Sequence, residues 1–269
     1  MNGQAAETAG DHLYLYGFVR DPDADLSSAL TGLAGATEGT PYPLDVCGKR
    51  VIVGAHDGSE ILQTRRRMLA HTRVLEAAMA VSPVMPMRFG LIAENGAALE
   101  RLVAANGDEI DLQFEKIGAR VEVGLRISFA RDAALAAVVA DDARIAEERR
   151  RLAGRGADAH FDRIELGRRV AETLDRRRTT AQHHVLEAIS ARCGRVILKP
   201  AEEDVEILRA ECLLAADAMP ELAATAEEAA RSCAFAPGSE PQIRLVGPAP
   251  PFHFVDLRLT TFGEGTAWA

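Results

Sequence analysis

Apolar positions recur along the chain with a period that changes several times, and each change marks an element. Residues 13–19, Leu-Tyr-Leu-Tyr-Gly-Phe-Val, are apolar on both faces and rich in aromatic and branched side chains, which suits a central strand covered on each side. Residues 21–43 hold several glycines and prolines and read as a loop with one short helix near 26–33. A second strand is predicted at 51–53, ended by the turn chemistry of His56-Asp57-Gly58. From 60 to 81 the period becomes helical. Met68, Thr72, Leu75 and Met79 step by four, three and four on an inner face, while Arg65, Arg66, Arg67 and Arg73 point toward water. Pro83 and Pro86 each hold the preceding residue extended, so the helix ends near Ser82. The segment 84–90 cannot donate to a ladder at its proline and belongs at a sheet edge or bulge. Two helices follow, 96–105 and 109–117. Asn106-Gly107 is a left-handed stop for the first, Asp108 a cap for the second, and Gly118 its end.

Residues 120–129 alternate strictly. Val121, Val123, Leu125, Ile127 and Phe129 take one face and Arg120, Glu122, Arg126 and Ser128 the other, so the second face is wet or covered by something polar. Residues 132–155 are rich in alanine and arginine and read as helical up to Gly154 and Gly156. A long helix is predicted over 161–193 with Phe161, Ile164, Val170, Leu174, Val185 and Ile189 inward. Strands at 195–200 and 206–215, a helix at 220–233 and a strand around 243–246 complete the pattern, before residues 247–251 (Gly-Pro-Ala-Pro-Pro) break the sheet. From 120 to 247 the order is strand, helix, strand, strand, helix, strand. That is the ferredoxin-like split βαβ arrangement, with 132–155 inserted after the first strand. The expected fold class is α+β with two domains. A mixed α+β domain spans 11–118, with 252–260 returning to complete it, and a modified ferredoxin-like domain spans 119–251. Residues 1–10 and 260–269 read as flexible tails.

Composition narrows the function classes. The chain has 269 residues, with 31 basic against 40 acidic side chains, a net charge of −9 that argues against general nucleic-acid binding. The longest apolar run, 133–140, has eight residues, far short of the roughly 20 that span a bilayer. The first eleven residues have no basic start and no apolar segment, so no secretory leader is expected, and a cytoplasmic location is. Cys47, Cys193, Cys212 and Cys233 are far apart and show no metal spacing, as thiols in a reducing compartment do.

No phosphate loop, GxSxG or HExxH occurs. His183 and His184 lie about 100° apart on a helix and cannot readily share one metal. His71 is five residues from Glu76, off the i,i+4 geometry, and is expected to fix a neighbouring backbone or carboxylate. The runs 65–67, 149–151 and 176–178 are expected to be solvated, ion-paired arginines. Strand 120–129 offers Arg, Glu and Ser where an RNA-binding sheet needs aromatics. No catalytic residue, metal or cofactor is expected, and the protein is not read as an enzyme.

Several segments in order then carry a resemblance. They are 13–17 (Leu-Tyr-Leu-Tyr-Gly), the helical His71-x-x-Val74-Leu75-Glu76-x-x-Met79 followed by 83–90 (Pro-Val-Met-Pro-Met-Arg-Phe-Gly), and 247–255 (Gly-Pro-Ala-Pro-Pro-Phe-His-Phe-Val). Leu166-Gly167-Arg168-Arg169-Val170 and the later Arg176-Arg177-Arg178 add to them. Together they resemble the gas vesicle protein family GvpL/GvpF, with Ala249 standing where relatives often carry tryptophan. The resemblance implies two α+β domains, the second a modified ferredoxin fold. It also implies an accessory assembly protein of gas vesicles that binds the hydrophobic shell subunit (GvpA type), limits its aggregation, meets other vesicle accessory proteins and remains as a minor vesicle component. No nucleic acid or membrane partner is implied. A cover for an apolar neighbour needs adaptable surface, and methionine supplies it. Met68, Met79, Met85 and Met87, with Arg88 to pair an acidic group, are therefore the candidate partner-binding residues. Core filling by the methionines, and a structural bridge by Arg88, stay open beside that reading. The competing function is a ferredoxin-like small-molecule-binding regulatory protein, which requires a deep pocket with convergent polar groups.

Overall fold

The structure, a computed structural model, describes residues 12–156, 159–257 and 259. Strand β1 (His12–Val19) is buried along nearly its whole length, as its two apolar faces predict. It sits inside a five-stranded sheet with β2 (Tyr42–Val46), β3 (Lys49–His56), β4 (Val84–Pro86) and β5 (Ile92–Ala93), ordered β2-β3-β1-β4 with β5 also on β1. Each of these pairings is antiparallel. The prolines place β4 at the end of the ladder path, where a missing donor costs little. Helices α1 (Leu26–Leu30), α2 (Arg65–Met79) and α3 (Gly96–Ile117) pack on this sheet or on one another. Gly17 makes the close packing possible: a Cβ there would lie 2.6 Å from the Met85 carbonyl oxygen and 2.8 Å from Leu75.

The second half of the chain runs β6 (Val121–Ser128), α4 (Arg131–Asp141), α5 (Ala143–Leu152), α6 (His160–Ser190), β7 (Arg195–Leu198), β8 (Glu206–Leu214), α7 (Met219–Ser232) and β9 (Gln242–Ala249). Its sheet is ordered β7-β8-β6-β9, so in chain order the strands lie second, third, first, fourth. That is the ferredoxin order, with α6 and α7 as the two crossovers and α4 and α5 as the helical insertion. The described chain divides into two compact units. One holds the residues through Glu122 and those from Ala249 on; the other is Val123–Pro248. The tails expected at 1–10 and 260–269 lie outside the described residues.

Several local expectations change. The loop expected over 21–43 ends in β2, which forms a hairpin with β3 through Cys47 and Gly48, at φ 48° and 74°. Two consecutive positive φ values match the twist of a two-residue hairpin, and glycine meets that demand without a steric penalty. Residues 96–117 form one helix rather than two. Asn106 is buried inside it and donates from Nδ2 to the Leu102 carbonyl 2.7 Å away, while Leu99, Val103, Ile110, Phe114 and Ile117 keep the inward stripe unbroken. Tertiary burial outweighs the local stop signal. The stretch 132–155 breaks at Asp142 instead, whose carboxylate caps α5 by accepting from the Arg144 and Ile145 amides. On α6, Leu174, Val185 and Ile189 are buried, whereas Phe161 (82% exposed) and Ile164 face solvent. Strand β9 continues through Pro248, where a break had been expected.

Candidate functional site

Three of the segments that carried the resemblance, 13–17, 71–79 with 83–90, and the Phe252 end of 247–255, meet at His71 in the first unit. From α2 its ring contacts β1, the strand-to-loop segment after β4, and the turn at Phe252. Nε2 lies 3.1 Å from the Met87 carbonyl, which only accepts, so Nε2 carries the proton. Nδ1 therefore accepts from the Tyr14 hydroxyl 2.8 Å away, and that hydroxyl in turn accepts from the Gly90 amide at 3.3 Å. The imidazole stacks on Tyr16 with ring centroids 5.4 Å apart and touches Phe89 and Phe252 at 5.9 and 6.2 Å. Burial lowers the His71 pKa from 6.5 to about 4, against a smaller upward pull from the Met87 carbonyl. Burial also raises Tyr14 and Tyr16. All three rings are locked in the interior, and their polar atoms are spent on holding backbone. His71 thus does what its spacing suggested, and the cluster is a structural rivet.

Further polar ties fasten residues 252–256 to the same unit. Glu122 is buried, the covered alternative of the two its alternation allowed, with the polar cover supplied by His253. Its carboxylate accepts from the His253 amide at 2.8 Å and faces His253 Nδ1 at 2.7 Å. Gln113 donates to the Asp256 carbonyl at 2.9 Å and accepts from the Asp256 amide at 3.3 Å.

The opposite face of α2 is free. Because His71, Val74, Leu75 and Ala78 are buried, the inward stripe is rotated from the one read through Met68 and Met79. The sequence placed four methionines and Arg88 together as partner-binding residues, and the structure spreads them. Met85 and Met87 are buried in the core of this unit, and Met79 is half-buried against it. Met68 (48% exposed) and Arg88 reach solvent. Buried thioethers cannot greet a partner without unfolding their surroundings, so Met85 and Met87 act here as core filling. What the methionine pattern missed is the exposed strip Arg65, Leu69 and Arg73 at i, i+4 and i+8, flanked by Arg66, with Leu69 47% exposed. Its signal was present in the wheel position opposite Val74 and Leu75.

The second unit contains a cavity of about 560 Å³ lined by residues including Asp141, Arg176, Arg177, His184 and Phe235. Its polar groups are largely committed to the protein. The Arg177 guanidinium pairs with Asp141 and donates to the Ala234 and Phe235 carbonyls, and His184 Nε2 lies 2.9 Å from the Ser232 hydroxyl. The four cysteines are free thiols. Among the described residues no helix is long and apolar enough to cross a membrane.

Comparison with known proteins is consistent along nearly the whole chain. The family described as gas vesicle synthesis protein GvpL/GvpF matches residues 12–256. The chain is 25% identical over 247 residues to gas vesicle protein F of a Streptomyces species, covering 90% of this chain and 99% of that one. It is 24% identical over 219 residues to gas vesicle protein F of Microcystis aeruginosa, covering 80% and 87%. In structure it is similar to the crystal structure of gas vesicle protein GvpF from an Anabaena species, with a TM-score of 0.77 at 21% identity, covering 93% of this chain and 99% of that one. The crystal structure of GvpF from Microcystis aeruginosa gives 0.69 at 23% identity, covering 93% and 100%.

Proposed function

The chain belongs to the gas vesicle synthesis protein family GvpL/GvpF, and from that membership we propose that it is an accessory protein which binds the hydrophobic shell subunit (GvpA type) and keeps it from aggregating during vesicle formation. Its role lies with gas vesicles; the masking of the shell subunit is the finer reading. A shell that holds gas needs subunits with an apolar face, and before assembly such a face and its open strand edges aggregate in water. A folded binder that covers them reversibly needs an outward surface mixing apolar and polar groups, not a reactive centre. The observation that carries this reading is the family match over residues 12–256. It is supported by a first unit whose most perturbed titratable groups, His71, Tyr14 and Tyr16, are consumed in holding the fold. In this reading the protein works in the cytoplasm, stays with the vesicle as a minor component beside other accessory proteins, and makes or breaks no bond.

The test is co-expression with the shell subunit. The soluble fraction of the subunit rises when the protein is present, and the two co-purify; a subunit that stays insoluble and unbound removes the reading. The second reading, a small-molecule-binding regulatory protein, draws on the 560 Å³ cavity. Its ranking is lower because the most enclosed cation there, Arg177, is already neutralised by Asp141 and saturated by carbonyls.

A further inference from the structure

Arginines in the second unit are closely tied to carboxylates. Arg150 pairs with Glu147, Arg151 with Glu148, Arg168 with Glu165 and Glu172, Arg178 with Asp175, and Arg231 with Glu227 and Glu240. In each of the runs 149–151 and 176–178 two of the three arginines are ion-paired, Arg150 and Arg151 in one and Arg177 and Arg178 in the other. The run on α2 forms no such pair. Among the described residues, neither Arg65, Arg66, Arg67 nor Arg73 has a carboxylate within ion-pairing distance, although the chain carries nine more acidic than basic side chains. Arg65, Arg66 and Arg73 stand exposed around Leu69, with Met68 at the margin of the strip and Glu76 at its far end. This is a cationic helix face with an apolar centre, unsatisfied by its own molecule.

We propose that this outer face of α2 is a docking surface for an acidic amphipathic helix of a partner protein. The inference rests on the reading that the protein acts by binding another protein, and it goes beyond it by naming the surface and the partner's chemistry. Arg65 and Arg73, about two turns apart, present forked donors that carboxylates two turns apart on a facing helix can meet. Leu69 between them supplies an apolar contact that water would otherwise cover. An anionic lipid surface is the less favoured occupant. The apolar side of α2, with Val74, Leu75 and Ala78, is already buried in the core, so the helix cannot sink into an interface and offers lipid only Leu69 and the marginal Met68.

The experiment uses the full chain and a fluorescent helical peptide with leucines at heptad spacing and glutamates elsewhere. Arg65→Glu with Arg73→Glu, and separately Leu69→Asp, are expected to weaken peptide binding by about tenfold or more, in line with loss of a central contact. Arg65→Lys with Arg73→Lys keeps the charge and is expected to stay within about threefold. All these positions are exposed, so the thermal midpoint should not move; a variant that unfolds is replaced by Arg66→Glu, read the same way. Unchanged peptide binding in the reversed variants overturns the inference. So does equal binding of a lysine-for-glutamate peptide, or a reversal effect seen with phosphatidylserine vesicles or self-association but not with the peptide. A parallel co-purification with the shell subunit separates the two claims. If the wild-type chain binds the peptide through α2 but not the shell subunit, the docking surface stands and the proposed function falls. If it binds the shell subunit while the peptide ignores α2, the reverse holds.

Discussion

At His71 the fold uses both ring nitrogens, one to donate to Met87 and one to accept from Tyr14, so a second proton has no place to go. An imidazolium would place a charge in a site only 2% exposed and force the Tyr14 hydroxyl to turn its proton away from the ring. The folded pKa of about 4 lies below the ordinary 6.5, so below pH 6.5 the unfolded chain takes up a proton that the folded chain refuses. The stabilisation from neutral His71 is therefore complete above pH 6.5 and is lost as pH falls from 6.5 toward 4. Across that window it amounts to about 3 kcal/mol. We expect the His71 ring signals in an NMR titration to stay in the neutral form through pH 5. Chemical unfolding should show a loss of stability below pH 6.5 that is reduced in His71→Gln. A ring titrating near 6.5 in the folded protein would refute this. The rivet was half legible: the spacing around His71 offered it no metal or base partner, but nothing local could show that Phe252 closes on it from about 180 residues away.

Elements were legible where their signal is local and free of competition. Strand β6 follows from strict alternation, β4 from its prolines, and α6 from a long helical period. They were misread where a weak local signal opposed a tertiary one. Pro43 and the neighbouring Pro and Gly residues disguised β2, whose pairing to β3 is fixed by the Cys47-Gly48 turn. The methionines of α2 drew the inner stripe about 80° around the helix from its true centre, because methionine is as content at a margin as in a core. The candidate site suffered with it: Met68, read on the inner face, reaches solvent, and the exposed face is centred on Leu69. In α3, Asn106-Gly107 looks like a stop yet lies in continuous helix. Gly107 has helical backbone and open space, the nearest atom to an added Cβ being Lys49 Cε at 4.0 Å. Gly107→Ala is thus expected to stabilise the protein by about 1 kcal/mol, through the lower entropy of the unfolded chain and better helix propensity. A raised thermal midpoint checks it; a lowered one would mean that α3 needs the flexibility that its sequence advertises.

At the scale of the whole molecule, the question is how a protein with this surface spends free energy on its partner. The sequence holds no phosphate loop, and the strongly shifted ring groups His71, Tyr14 and Tyr16 are buried in structural bonds. If the protein masks the shell subunit as proposed, that masking follows mass action. Each bound chain protects what it covers, by an amount set by its concentration over its dissociation constant. If aggregation of the shell subunit is followed by light scattering while the protein is added, the suppression should grow in proportion to the protein and saturate once the subunit is bound. ATP with magnesium should leave the curve where it is. A catalytic amount that clears a large excess of subunit would demand turnover and would refute stoichiometric masking. The charge-reversed α2 variants extend the same titration. If α2 is where the subunit docks, their curves shift to higher protein concentration by the factor by which binding weakens, while the plateau of full suppression is unchanged, because the masked area is the same once the complex forms.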